Sequence, residues 1–188
     1  MITHQDIIRE LNKFGILDNL EVSHFLAQTD HESGGFKRLS ENLNYSSDAL
    51  VKLFPKRFTR DLANKYGRNS SHPADQKMIA NILYGSRLGN ENDGTDDDDG
   101  HEYRGSGLIQ LTGKYNHQKF LDWLKSKGQK LELTIDTVDD FVRTEEGAII
   151  SAIWFWVSNE IGKFALNDDV VKVSKDFLKS LENKRRAP

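Results

Sequence analysis

The 188-residue chain contains no cysteine, which excludes a disulfide framework, thiolate metal ligation and a cysteine nucleophile while leaving the compartment open. It also lacks an excess of positive charge. With 26 basic and 29 acidic residues the formal net charge is −3, so no global field draws it to nucleic acid, which is not expected as a partner. No stretch approaches the ~20 apolar residues of a membrane span, and stable membrane insertion is not expected. Met1 to Glu10 has neither the basic nor the apolar region of a secretory signal, so the reading is a protein made in a cytoplasm that needs help to leave it. Internal repeats and Pro/Ser linkers are absent too. What is present, 37% hydrophobic residues with 10% aromatics, suffices for a core, and residues 1–188 read as one domain in two lobes.

Helical periodicity dominates. Ile7, Ile8, Leu11 and Phe14 form an apolar stripe between a cap at Thr3 and a stop at Gly15. A second helix through Val22, Phe25, Leu26 and Thr29 must end near Ser33, because Gly34 and Gly35 in tandem break it. Further helices are predicted from Ser46 or Ser47 to Phe54, from Thr59 to Tyr66, and from Pro73 in a first turn to Gly85. Residues 85–107 hold six of the 14 glycines and the run Asp96 to Asp99, and read as a solvated loop. Leu108 to Thr112 reads as a short strand. Helices resume from Lys114 to before Gly128, from Thr144 to Ser158 and from Val170 past Leu181 into the basic tail Lys184, Arg185, Arg186. The Thr144 helix is apolar nearly all round and is expected at the centre of the core, with Trp154 and Trp156 packed inside rather than serving as sugar platforms.

The chemically informative segment is Ala27-Gln28-Thr29-Asp30-His31-Glu32-Ser33-Gly34-Gly35-Phe36, followed by Ser40-Glu41-Asn42. It sets Glu32 at a helix C-terminus, whose partial negative charge favours a carboxyl that keeps a proton to donate. Glu41 follows nine residues later, which on an unbroken helix would be ~13 Å away on the opposite side. The Gly34-Gly35 break lets the chain fold back and oppose the two carboxylates across a cleft, as glycosidic-bond chemistry requires. Spacing alone equally allows a capping glutamate and a solvated loop charge, the commoner fate of a carboxylate. In Tyr103-Arg104-Gly105-Ser106-Gly107, Tyr103 can stack on a sugar face and Arg104 can hold a carboxylate or acetamido oxygen, or pair with Glu32 or Glu41. Gln110 and Thr112, two apart on a strand, would line the same face.

Metal readings fail. His31-Glu32 begins like a zinc-protease helix, but Gly35 stands where the second histidine belongs. Aligning Gly100 with the turn glycine of a calcium loop puts Thr95 first and Ser106 last, where Asp and Glu are wanted.

The Ala27–Phe36 segment, taken with Asn81-Ile82-Leu83-Tyr84-Gly85-Ser86-Arg87-Leu88-Gly89-Asn90 and Tyr103 to Gly113, resembles family 19 glycoside hydrolases, and most of all their phage endolysin branch, over about residues 5 to 170. The resemblance implies a mostly α, lysozyme-like two-lobed fold with a small β element near residues 106–113, and hydrolysis of β-1,4 links between N-acetylated sugars with inversion and without metal or cofactor. By position Glu32 matches the general acid, Glu41 the second acidic residue and Thr112 the hydroxyl that completes the site, with His31, Tyr103, Arg104 and Gln110 expected to contact sugar. Plant chitinases of the family carry their second glutamate at a spacing that falls near Phe54 here, which disfavours a chitinase. The family's Ile-Asn-Gly-Gly-like element is replaced after Asn167-Asp168-Asp169-Val170, so no binding residues are carried over in that lobe. The expectation is therefore an endolysin-type muramidase acting as a monomer on peptidoglycan glycan strands. It would have no separate wall-binding domain and would be released to the periplasm by export or a holin. The rivals are a chitinase and a catalytically silent wall-binding or toxin-like module.

Overall fold

The computed structural model describes residues 1–91, 98–129 and 131–184, so Asp96, Asp97, Arg185 and Arg186 lie outside the described residues. Eleven helices occur among them: α1 (His4–Lys13), α2 (Asn19–Ser33), α3 (Ser47–Leu53), α4 (Arg60–Tyr66), α5 (Gln76–Tyr84), α6 (Asp99–Glu102), α7 (Lys114–Ser126), α8 (Ile135–Arg143), α9 (Glu145–Ser158), α10 (Gly162–Ala165) and α11 (Val170–Lys184). The fold is mostly helical with no sheet among the described residues, in keeping with a lysozyme-like architecture.

Capping explains why the helices begin where they do. Thr3 and Asp6 form a reciprocal capping box on α1, while Asp18, Ser46, Thr59 and Thr144 accept backbone N–H bonds at the starts of α2, α3, α4 and α9. Gly34 ends α2 in the left-handed conformation at φ 63°, as the tandem glycines predict. The start of α5 differs from expectation. Asp75 caps it through Met78 N, leaving Pro73 outside the first turn.

Two hydrophobic cores organise these helices. The larger collects Ile7 and Leu11 of α1, Phe25 of α2, Phe120 and Leu124 of α7, Val138 and Val142 of α8, the buried run of α9 and Val173, Phe177 and Leu181 of α11. Every residue of α9 from Gly147 to Trp156 is buried, so this helix is the central one, and Trp154 and Trp156 pack inside as predicted. At Gly147 a Cβ would lie 2.0 Å from the Phe141 carbonyl oxygen, a clash that any other residue would relieve only by pushing α8 away from α9. The smaller core unites Leu50, Ala63, Ile79, Ala80 and Leu83 from α3, α4 and α5 with Leu43 and Phe58 from the segments that precede α3 and α4. Leu39 packs on the larger core and Leu43 is buried in the smaller, so residues 39–43 cross between them with Glu41 at the midpoint.

The loop and strand expectations need correction. Residues 85–107 are not wholly a solvated loop, because α6 forms within them and Asp99 is buried, paired with Lys114 Nζ at 3.0 Å and accepting Glu91 N at 2.9 Å. Asp98 also pairs, with Lys77. Leu108 to Thr112 is no strand. Ser106 and Leu111 exchange both backbone hydrogen bonds, at 3.0 and 2.7 Å, around a tight turn in which Gln110 takes φ 51°. The small β element consists of the bridges Ser106 to Leu111 and Ser40 to Ser106. The sequence pattern missed α8, although Thr134 as cap and the Ile135, Val138, Val142 spacing mark it.

Candidate active site

Glu41 is held by main chain on one side and a tyrosine on the other. Its N–H donates to Gly105 O at 2.8 Å, Gly107 N donates to Leu39 O at 2.9 Å, and these bonds fasten segment 39–41 to segment 105–107. Gly105 N returns a bond to Glu41 Oε2 at 3.3 Å, and the Tyr84 hydroxyl, at the end of α5, lies 2.8 Å from both carboxylate oxygens. A Cβ on Gly105 would sit 3.0 Å from Gln110 Oε1 and 3.3 Å from Glu41 Oε2, so a side chain here would press on both Gln110 and the Glu41 carboxylate. Burial and then the charge of Glu41 push the nearby Tyr45 phenol above its ordinary range.

In front of Glu41 lies an open polar pocket of about 580 Å³ lined by Ser40, Glu41, Asn42, Asn44, Gln76, His101 and Arg104. His101 and Arg104 also belong to an adjoining pocket of about 280 Å³ with Glu102, Asp136, Asp139, Asp140 and Arg143, so the two form one groove. Arg104 Nη1 donates to His101 O at 2.7 Å and makes no ion pair with Glu32 or Glu41 among the described residues. Burial, then the neighbouring Arg143 charge, lowers the pKa of the Arg104 guanidinium, while Glu41 and nearby aspartates oppose the shift. The His101 imidazole is likewise held below its ordinary value, first by burial and then by Arg104 and Arg143, and so favours the neutral ring.

Of the residues singled out in the sequence, Glu41 and Arg104 share this pocket. Glu32 is half-buried in the last turn of α2, with no hydrogen-bond partner among the described residues, and it does not line the pocket. His31 is exposed in the same turn. After Gly35 the chain folds back as expected: Arg38 N and Nε reach Ser33 O at 3.0 and 3.4 Å, and Arg38 O accepts Gln110 Nε2 at 3.3 Å. Gln110 therefore ties the fold-back after α2 to the turn beside Glu41, and its side chain also bonds Gly107 O at 3.1 Å. The Thr112 hydroxyl donates to Gln110 O at 2.9 Å and is not among the residues lining the pocket. Since Gln110 sits in the turn and Thr112 follows the Leu111 bridge, the common strand face expected for them does not exist.

Tyr103 corrects the sequence reading most sharply. It is 1% exposed, its hydroxyl donates to Ile135 O at 3.1 Å, and its ring packs on His117 with centroids 5.2 Å apart, so it has no free face for a sugar. Tyr84, Gln76, Asn44 and His101 line or support the site without having been foreseen. For Tyr84 a signal was there, since it lies within the Asn81–Asn90 motif.

A mostly helical molecule with two cores and a polar groove that holds a carboxylate at their junction is consistent with a lysozyme-like fold. No protein-family model matches the chain. A glycosyl hydrolase family 19 domain-containing protein of Haemophilus influenzae is 37% identical over 173 residues, covering 92% of this chain and 77% of that protein. The chain belongs to glycosyl hydrolase family 19.

Proposed function

We propose that the chain is an endolysin-type muramidase that hydrolyses the β-1,4 bond between N-acetylmuramic acid and N-acetylglucosamine in peptidoglycan. The observation that carries this reading is Glu41, fixed by Tyr84 and Gly105 N–H at the wall of an open groove that also contains the Arg104 guanidinium. A carboxylate that accepts two fixed donors suits a base, and a neighbouring guanidinium suits the lactyl carbonyl and stem-peptide carboxylates that peptidoglycan carries and chitin lacks.

In the proposed reaction Glu32 gives its proton to the leaving glycosidic oxygen. Glu41 takes a proton from a water that attacks the anomeric carbon from the opposite face, and Thr112 orients that water. One water is added across one bond, the configuration inverts, and no metal or cofactor enters. Peptidoglycan strands are the partner and the protein acts as a monomer, reaching the wall by export or holin-type release. Mass spectrometry of digested purified peptidoglycan tests the reading. Fragments with reducing N-acetylmuramic acid ends are expected. Reducing N-acetylglucosamine ends, anhydro ends, or cleavage of chitin oligomers with walls left intact would each refute it.

A further inference from the structure

The Asn81–Asn90 motif has no role in the reaction just described, yet the structure builds it around one side chain that touches the proposed base. Asn81 Oδ1 accepts His101 N at 2.8 Å, which fixes the start of the segment against α6. At its other end Asn90 Nδ2 donates to Tyr84 O at 3.0 Å while Asn90 Oδ1 accepts Lys114 N at 2.8 Å, and Asn90 is buried. Tyr115 N donates to Leu88 O at 2.9 Å, so the segment is pinned to the start of α7 as well. Between these anchors the Tyr84 hydroxyl lies 2.8 Å from Glu41 Oε1 and 2.8 Å from Oε2. The Tyr84 ring packs on the smaller core, whereas Gly105, the other donor to Glu41, precedes a turn whose Leu108, Ile109 and Leu111 belong to the larger core. The carboxylate is thus gripped from both lobes.

Resting on the role proposed for Glu41, we infer that Tyr84 is a positioning residue for the water-activating carboxylate, with the Asn81–Asn90 motif as its mount. The hydroxyl has one proton, and equal distances to both oxygens place that proton near the carboxylate bisector. Rotation of the carboxylate plane then costs hydrogen-bond energy, and the oxygen facing the groove keeps its lone pairs directed at a water. Without the hydroxyl, Glu41 is restrained only by the longer Gly105 bond and samples orientations in which a water is misaligned for attack. Substrate binding does not depend on this orientation, so the loss falls on turnover.

The test is a double-mutant cycle with Tyr84→Phe and Glu41→Gln, measured on purified peptidoglycan with thermal unfolding of each variant as a folding control. A hydrogen bond to a charged group sets the scale: Tyr84→Phe is expected to lower kcat about ten- to a hundredfold with KM within about twofold. In the Glu41→Gln background the same change is expected to have no further effect, because Tyr84 acts only through the carboxylate. A purely structural role would predict losses that multiply and a variant that unfolds early. Tyr84→Phe retaining more than half the wild-type kcat, while Glu41→Gln is inactive, overturns the inference and leaves the role of Glu41 standing. Effects that multiply overturn it too. If Glu41→Gln alone is fully active, the role of Glu41 fails, and the inference fails with it.

Discussion

Replacing Tyr103 by phenylalanine and by alanine separates a core residue from a sugar platform. The ring is 1% exposed, packs at a tilt on the buried His117 with centroids 5.2 Å apart and has Lys114 Nζ 5.7 Å from its centroid. Truncation to alanine empties a fully packed site, a change that costs ~3–5 kcal/mol for a large aromatic. In a chain of this size that corresponds to a fall in Tm of roughly 6–20 °C. Phenylalanine keeps the ring and removes only the bond to Ile135 O at 3.1 Å. Because that carbonyl opens α8 and also accepts a helical N–H, no orphan acceptor is left, and the cost is about 1 kcal/mol, or roughly 2–4 °C. The assay pairs thermal or urea unfolding with KM on peptidoglycan. Tyr103→Phe with wild-type KM and slightly lower stability is the expected result. If Tyr103→Phe or Tyr103→Ala were as stable as wild type but raised KM tenfold, the ring would have to face substrate and the packing argument would be wrong.

Three further outcomes are expected. Glu32→Gln should fold as wild type and lose about 10²–10⁴ in peptidoglycan hydrolysis, and retention of more than about a tenth of the rate would remove Glu32 from the acid role. Proton NMR of the first product should show the α-anomer, with Glu41→Gln and Thr112→Ala each depressing turnover more than binding, whereas a β-anomer or a glycosyl-enzyme on Glu41 would replace water activation by nucleophilic attack. His117, buried with Nδ1 donating to Gly113 O at 2.9 Å, has its pKa brought down to about 4, first by burial. Below pH ~6.5 the unfolded chain takes a proton that the folded ring refuses, so stability present at neutral pH is lost as the pH falls toward ~4, by up to about 3 kcal/mol. Urea unfolding at several pH values should show this slope and its flattening in His117→Asn, whose amide keeps a donor toward Gly113 O. Equal slopes in the two proteins would assign the dependence elsewhere, His101 being the first candidate since its pKa is lowered too.

The sequence by itself determined the helices whose signals are local. Thr3 caps α1 and Ser46, one of the two candidates, caps α3 as expected, α4 and α9 begin beside the predicted starts Thr59 and Thr144, and Gly34 stops α2 in the left-handed conformation. It also determined α9 as the core helix, since a segment apolar on all sides has nowhere else to go. Family membership was legible because the His31-Glu32, Asn81–Asn90 and Tyr103–Gly113 motifs survive as linear strings. Only the tertiary structure decided the fate of residues whose surroundings come from distant segments. Tyr103 looks like any loop aromatic until α7 and α8 enclose it. Gln110 and Thr112 alternate like strand residues, yet Ser106 and Leu111 pair across residues 107–110, which puts Gln110 in a turn and leaves Thr112 just beyond it. Tyr84 and Glu41 are 43 positions apart and meet because two cores pack against each other at the 39–43 crossing. Periodicity reports which face of an element is apolar, but which polar groups converge across a groove depends on long-range packing that no local pattern encodes.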